Sequence, residues 1–225
     1  MINLHSHHFD PSAEVVVMQA DSDSLVQLAE RFPAAYFSIG IHPWIVGKDD
    51  DDDVVLLEKL EASLNNPDFK SRIIALGECG LDKLRNQENY SQQEACFCAQ
   101  IKLAEKHGLP LLIHCVKAHQ ECSALLLKEK VSVPVVFHGW NNRGTLLAPL
   151  LQNGWNVSFG SALLIKKSQA GQQIVTMPHD RIFLETDDSD IPIEKIYTAA
   201  ENLMGISHSE LQKIIARNFS KFCRL

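Results

Sequence analysis

The sequence has no long hydrophobic run and no cysteine spacing typical of a zinc ribbon. No apolar stretch approaches the ~20 residues that cross a bilayer, and the start MINLHSHH lacks the charged and then apolar layout of a signal peptide. Cys79, Cys96, Cys98, Cys115, Cys122 and Cys223 show no framework of secreted disulfides. We therefore expect a cytoplasmic protein with reduced, mostly buried thiols and no contact with a membrane.

The sequence also lacks an excess of basic residues. It holds 21 Lys and Arg against 28 Asp and Glu, which gives a net charge of −7. A broad basic surface is therefore excluded, and any contact with nucleic acid would have to be local, because phosphate binding depends on clustered Lys and Arg. No feature of the sequence indicates a protein partner.

The length permits one substantial core. The chain has 225 residues, of which 45% are hydrophobic, and it contains no repeat or linker that separates two domains. We therefore predict a single domain over residues 1–225.

Short β-rich runs alternate with helical runs along the chain. The predicted strands are Ile2–His7, Glu14–Gln19, Tyr36–His42, Ile73–Gly77, Pro110–Cys115, Pro134–His138, Asn156–Gly160 and Arg181–Thr186. The predicted helices are Ser22–Phe32, Val54–Leu64, Tyr90–His107, His119–Lys130, Thr145–Gln152, Ser168–Val175, Ile193–Met204 and Ser209–Phe222. Eight strands that alternate with helices predict an α/β fold, a (β/α)8 TIM-type barrel.

Two segments depart from a regular barrel. The stretch between His8 and Glu14 is too short for a helical crossover, so we expect the first outer helix to be missing. The run GKDDDDDV at 47–54 could bind a cation loosely, but we expect a solvated turn whose last acid caps the following helix.

Ionisable side chains follow the apolar strands, at the end where a barrel keeps its chemistry. His5 and His7 are two apart, so both face the same side of the first strand. Four more side chains occupy equivalent places, namely Glu78, His114, His138 and Asp187. Burying so many ionisable groups without partners is costly. Because imidazole and carboxylate are ligands of zinc and similar ions, the pattern predicts a metal centre.

The same motifs resemble a known family. HSH, GIHPW, ALGECGLD, LLIHC, VVFHGW and LETDDSD occur in order from residue 5 onward and are similar to those of the TatD family of metal-dependent hydrolases, within the amidohydrolase superfamily. The resemblance covers nearly the whole chain. It implies a (β/α)8 barrel, two divalent ions at the carboxyl ends of the strands, and deoxyribonuclease activity.

The resemblance also implies a role for each matching residue. His5, His7 and Asp187 would hold one ion, His114 and His138 the second, and Glu78 would bridge the two. Asp187 would also act in catalysis by orienting the attacking water and accepting its proton, and Glu78 would act in catalysis as the bridging residue. His42 would lie close to the site as a substrate-binding residue or as a hydrogen-bonded loop residue beside Pro43. His8 is expected at the surface or behind the ligands.

Several positions differ from the family pattern. Asp10 comes one position later than the Asp of the usual HxHxD, and Asn3 stands where an Asp is common. Val116 replaces an Arg that often follows the strand-five His, while the next residue, Lys117, could offset anionic charge or be a solvated lysine. The aromatic residues after GLD and the Ser-Pro after the strand-eight Asp are also absent. These parts surround the substrate, so the metal chemistry is better supported than the nuclease activity.

The sequence leaves three functions open. The first is a phosphodiesterase that acts on DNA or a small phosphodiester. The second is an amidohydrolase that acts on an amide, ester or lactone, and the third is a metal-binding protein without turnover. A phosphoesterase of the PHP type also begins with HxH but fits the later motifs less well. Histidine and carboxylate ligands accept Zn, Mn, Fe, Ni or Mg, so the sequence does not specify the metal.

Overall fold

A computed structural model of the chain describes residues 1–48 and 52–223. The strands are β1 Ile2–Ser6, β2 Val15–Ala20, β3 Tyr36–Ile39, β4 Ile73–Asp82, β5 Leu111–Val116, β6 Val135–Phe137, β7 Asn156–Phe159 and β8 Ile182–Leu184. The α-helices are α1 Leu25–Arg31, α2 Asp53–Asn65, α3 Tyr90–His107, α4 His119–Lys128, α5 Gly144–Gln152, α6 Gln169–Ile174, α7 Ile193–Met204 and α8 His208–Cys223. Short 3₁₀ turns occupy Gln87–Asn89, Ser161–Leu164 and His179–Arg181.

The strands form one parallel sheet whose order follows the chain, from β1 to β8. The end of β8 returns to the first strand, because an isolated parallel bridge joins Ser6 to Asp187. This is the topology of a (β/α)8 barrel, as predicted. The segment 7–14 between β1 and β2 is a loop, which confirms the prediction that the first outer helix is missing.

The chain divides into two compact units. The first contains Met1–Met18, Ala34–Tyr36 and Val136–Leu225, and the second contains Gln19–Pro33 and Phe37–Val135. The core of the first unit includes Leu4, Val17, Phe137, Phe159, Phe183, Tyr197 and Ile215. The core of the second includes Phe37, Leu60, Leu76, Phe97, Ile101, Leu112 and Leu126. That residues 1–225 form a single domain stays a prediction.

Strand β4 is longer than predicted. It continues five residues beyond Gly77 to Asp82, so Glu78 lies within the strand and not after it. Gly77 and Gly80 suit this path because they have φ of +152° and +141°. A Cβ on Gly80 would lie 2.0 Å from the carbonyl oxygen of His114, so only glycine lets β4 and β5 approach this closely.

The acidic run is described only in part. Asp52 begins α2, and its side chain accepts a hydrogen bond from the Val54 N–H at 2.9 Å. The prediction that the last acid, Asp53, caps the helix is therefore wrong by one residue. Asp53 is the first helical residue, and its Oδ1 accepts from the Gly47 N–H instead. The predicted solvated turn at 49–51 lies outside the described residues.

The thiols and the helices were compared with what the sequence predicts. All six cysteine thiols are free, and Cys79, Cys96 and Cys122 are buried. Within residues 1–48 and 52–223, no helix combines the length and the apolar character needed to cross a membrane.

Candidate metal centre

Two predicted ligands, one in the first strand and one directly after it, meet a third that follows the last strand. The Oδ1 atom of Asp187 lies 3.5 Å from the Nε2 atom of His5 and 3.6 Å from that of His7. The His5 side chain is buried, whereas those of His7 and Asp187 are partly exposed. Two imidazole nitrogens and a carboxylate oxygen thus face one another within 4.8 Å, as a divalent ion requires. We call this group the His5 cluster.

The backbone between β1 and β8 fixes the geometry of this cluster. The N–H groups of Thr186 and Asp187 both donate to the His5 carbonyl, and the His7 N–H donates to the Asp187 carbonyl at 3.1 Å. Asp187 has a left-handed φ of 56°, a conformation that aspartate tolerates better than most residues. These hydrogen bonds hold the candidate ligands in place.

The predicted ligand His138 lies beside His5 in the same unit. The centroids of the two imidazole rings are 4.6 Å apart. The Nδ1 atom of His138 lies 3.5 Å from Oε1 of Glu185, which is completely buried. The Gly139 N–H donates to the same Oε1 at 2.5 Å, and the Ser158 hydroxyl donates to the other carboxylate oxygen. Donors to both oxygens hold the Glu185 side chain in place, where it can orient the imidazole of His138.

A second cluster lies in the second unit and contains His42, Glu78 and His114. The Oε1 atom of Glu78 lies 2.9 Å from Nδ1 of His114 and 3.3 Å from Nε2 of His42. The Glu78 side chain is almost fully buried. One nitrogen or oxygen atom from each residue lies within 4.8 Å of the others, which again suits a divalent ion. We call this group the Glu78 cluster.

Hydrogen bonds give the two histidines of the Glu78 cluster different roles. The Trp44 N–H donates to Nδ1 of His42 at 3.1 Å, so a neutral His42 carries its proton on Nε2 and donates towards Glu78. The Nε2 atom of His114 lies 3.1 Å from Oδ2 of Asp82, so a neutral His114 donates there, and its Nδ1 lone pair faces Nε2 of His42 at 3.3 Å. A metal ion would use this lone pair in place of the contact with His42. These contacts favour His114 as a ligand and His42 as a hydrogen-bond donor.

Asp82, which the sequence interpretation missed, anchors this cluster. Burial raises the pKa of its carboxyl. Hydrogen bonds from His114 and Trp44 and from the N–H groups of Leu84 and Arg85 lower the pKa by more, so the pKa lies well below its usual range. Asp82 is therefore an ionised acceptor that positions His114. Its place in the GLD motif is the signal that could have identified it.

The remaining predicted residues lie outside both clusters. Lys117 is exposed at the end of β5 with a left-handed φ of 56°. Within the described part of the chain, its ammonium group has no hydrogen bond or ion pair, so its role in substrate binding stays a prediction. His8 contacts Asp188 at 3.1 Å, and both side chains are exposed. His8 therefore lies at the surface, as expected.

Two departures from the family pattern have structural explanations. Asp10 accepts from the N–H of Ile193, the first residue of α7, at 2.7 Å and from the Ser12 hydroxyl at 2.6 Å, so it joins the β1 loop to that helix. Asn3 exchanges hydrogen bonds with Thr186, through the Asn3 side-chain amide at 2.8 Å and the Thr186 N–H at 3.1 Å. Asp10 therefore joins the loop after β1 to α7, and Asn3 joins β1 to the residues after β8.

Comparisons with known proteins agree with this geometry. Residues 4–224 match the profile of the family described as TatD related DNase. An uncharacterized metal-dependent hydrolase of Escherichia coli K12, YjjV, is 24% identical over 184 residues, which cover 80% of this chain and 69% of that protein. The 3'-5' ssDNA/RNA exonuclease TatD of Dickeya dadantii is 28% identical over 206 residues, which cover 83% and 75% of the two chains.

A solved structure shows the same fold. The crystal structure of YjjV, described as a TatD homolog from Escherichia coli K12, superposes with a TM-score of 0.86 at 19% identity and covers 100% of this chain and 97% of that chain. This likeness confirms the barrel. Taken with the match over residues 4–224, it shows that the chain belongs to the TatD family of metal-dependent hydrolases.

Proposed function

We propose that this protein is a phosphodiesterase that uses divalent ions to hydrolyse single-stranded nucleic acid or a small phosphodiester. The observation that carries the proposal is the convergence of imidazole and carboxylate groups in the His5 cluster and the Glu78 cluster. Relatives named as ssDNA/RNA exonucleases support the choice of substrate. The free thiols suit the reducing cytoplasm, where we place the protein.

The residues of both clusters fit metal binding. His5, His7 and Asp187 would hold one ion, and Glu78 and His114 would bind a second. The assignment of His138 to the second ion and the bridging role of Glu78 stay predictions. A bound divalent ion supplies Lewis acidity, which lowers the pKa of water from 15.7 towards about 7 and polarises a phosphoryl oxygen.

The chain itself supplies proton transfer and orientation. The Asp187 carboxylate, partly exposed at the edge of the His5 cluster, can accept the proton of the attacking water and pass it to the leaving oxygen. The Nε2–H of His42 points into the Glu78 cluster and can donate to a phosphoryl oxygen. Glu185 and Asp82 act behind the ligands by holding the rings of His138 and His114.

A substrate panel tests the proposal. The metal-loaded protein is offered a single-stranded DNA oligonucleotide and bis(4-nitrophenyl) phosphate, alongside a lactone, an aryl ester and a cyclic amide. We expect hydrolysis of the phosphodiesters, and loss of that hydrolysis after treatment with a chelator. Turnover of the acyl substrates alone would indicate an amidohydrolase instead, and metal binding without any turnover would indicate a binding protein.

A further inference from the structure

Val116 stands two positions after His114, where an arginine is common, but the structure presents an arginine at a different place beside the Glu78 cluster. The guanidinium carbon of Arg85 lies 4.1 Å from the centroid of the Trp44 ring system. The same Trp44 ring lies 4.7 Å from the ring of His42 and 5.8 Å from that of His114, measured between centroids. Arg85 is therefore separated from two residues of the Glu78 cluster by a single aromatic side chain.

The contacts of Asp82 fix both partners of this stack. The Oδ2 atom of Asp82 accepts from the indole N–H of Trp44 at 2.7 Å, and its Oδ1 accepts from the backbone N–H of Arg85 at 2.9 Å. The carboxylate that positions His114 thus also holds the aromatic ring and the backbone that carries the guanidinium. The stack and the Glu78 cluster share one anchor.

Further hydrogen bonds join the two loops that carry the stack. The side-chain amide of Asn86 donates to the carbonyls of Pro43 and Val46, at 2.9 Å and 2.7 Å, and Asn86 has a left-handed φ of 57°. The amide of Gln93, which is buried in α3, donates to the Asn86 carbonyl at 2.8 Å. The position of Arg85 is therefore organised in advance, which reduces the entropy lost when it binds a ligand.

The guanidinium group keeps its hydrogen-bonding capacity. In the described ranges 1–48 and 52–223, no carboxylate forms an ion pair with Arg85, whereas its neighbour Lys83 is paired with Glu121. Stacking uses the face of the guanidinium and leaves the N–H groups at its edge available. These donors match two oxygens of a phosphate group.

We propose that Arg85, stacked on Trp44, binds a second phosphate of an oligonucleotide, next to the phosphate that is cleaved. The inference rests on the proposed function and narrows its substrate to chains with at least two phosphates. Arg85 is then a specificity-determining residue, because a substrate with a single phosphodiester gains nothing from it. A local cation of this kind also suits a chain whose net charge is −7.

The test compares Arg85→Ala with Arg31→Ala on three ligands. Arg31 is a matched control because it is also exposed and lies over an aromatic ring, 5.1 Å from the centroid of Phe32. The ligands are a trinucleotide, the same trinucleotide with a neutral methylphosphonate in place of its second phosphate, and bis(4-nitrophenyl) phosphate. Thermal unfolding of each variant checks that it is folded.

We expect Arg85→Ala to raise the KM for the trinucleotide about tenfold, with kcat nearly unchanged. Replacing the trinucleotide by the methylphosphonate should raise the KM of the wild type by the same factor. It should not raise the KM of Arg85→Ala any further. The KM for bis(4-nitrophenyl) phosphate should change less than twofold. Arg85→Lys, which keeps the charge but not the planar fork, should recover only part of the affinity.

A binding measurement separates this inference from the proposed function. The affinity of the metal-loaded protein for a labelled, hydrolysis-resistant phosphorothioate pentanucleotide is measured by fluorescence anisotropy at several salt concentrations. Loss of one phosphate contact should reduce the slope of log Kd against log salt by about 0.7 in Arg85→Ala and leave it unchanged in Arg31→Ala. Equal slopes and equal KM values in the two variants would overturn the inference. A reduced slope in a protein that cleaves no phosphodiester would reject the proposed function and leave the anion site in place.

Discussion

At the residue scale, adjacent side chains of the same type have different environments. Asp187 contacts His5 and His7 of the His5 cluster. Among the described residues, the ion pair of the next residue, Asp188, is with the exposed ring of His8 alone. The backbone explains the difference, because the Asp187 N–H donates to the His5 carbonyl in β1 and the Asp187 carbonyl accepts from the His7 N–H. A substitution of Asp187 can therefore be compared with the same substitution of Asp188 as its control.

Replacing the carboxylate of the His5 cluster is expected to abolish most activity. Asp187→Asn removes the carboxylate proposed as metal ligand and proton acceptor, so we expect kcat to fall by about 10²–10⁴-fold, with weaker metal binding. Phosphodiester hydrolysis and metal content per chain measure the two effects. Asp188→Asn should change neither by more than about twofold, and equal losses in both variants would contradict the assignment of Asp187.

The buried Glu185 is expected to act through His138. Glu185→Gln keeps the size and one acceptor but removes the charge that faces Nδ1 of His138, so metal affinity should fall by about 10–100-fold. Chelator competition measures that affinity, and thermal unfolding is followed in the metal-free protein as the structural readout. If unfolding shifts while metal affinity stays at the wild-type value, Glu185 has only a structural role.

The sequence pattern revealed some residues of the candidate site and missed others. His5, His114 and Asp187 each interrupt or end an apolar run, so their residue types alone indicated a site. Glu185 and Asp82 were not predicted, because their proposed roles depend on their contacts with His138 and His114. Residue type along a strand cannot show such pairings, which depend on the neighbouring strand.

At the scale of elements, the loop between β1 and β2 replaces a helix and carries His7. Asp10 holds this loop by accepting from Ser12 and from the first N–H of α7. The loop and the start of the helix are therefore fixed by one carboxylate, which is mostly buried. These hydrogen bonds give Asp10 a structural role in this loop.

Removing this carboxylate should cost both stability and activity. Asp10→Ala is expected to lower the free energy of unfolding by about 1–2 kcal/mol, because it leaves the helix end and the Ser12 pair unsatisfied. It should also reduce activity, since the loop beside His7 loosens. The control Asp52→Ala removes the cap of α2, costs a similar ~1 kcal/mol and should leave kcat unchanged. Urea unfolding and steady-state kinetics give the two values.

The close approach of β4 and β5 gives a second prediction for an element. Gly80→Ala would place a Cβ 2.0 Å from the His114 carbonyl oxygen, and we expect it to cost more than about 3 kcal/mol or to prevent folding. Gly154→Ala is the matched control, because Gly154 also has a positive φ of 76° but no atom within 4 Å of the added Cβ. It should cost only about 1–2 kcal/mol, measured by thermal unfolding.

The order and type of the elements were predictable from the sequence, whereas some of their limits were not. Periodicity identified α3 as Tyr90–His107 and α7 as Ile193–Met204 without error. The end of β4 was wrong because glycine usually interrupts a strand, and only the neighbouring β5 shows why Gly77 and Gly80 continue it. Local patterns therefore determine elements, and contacts between strands determine where they stop.

At the scale of the whole molecule, an acidic chain belongs to a family whose named relatives act on an acidic polymer. Divalent ions would reconcile these facts, because they would bring positive charge to two clusters that are otherwise built from histidines and carboxylates. The stacked Arg85 would add a local cation without making the surface basic. The proposed activity thus depends on ions that bind where the side chains converge.

Locating bound metal by anomalous diffraction tests this dependence most directly. Crystals grown with Mn²⁺ or Zn²⁺ are predicted to show one peak held by His5, His7 and Asp187 and another held by Glu78 and His114. Absence of both peaks at saturating metal, or peaks bound only by other residues, would contradict the account.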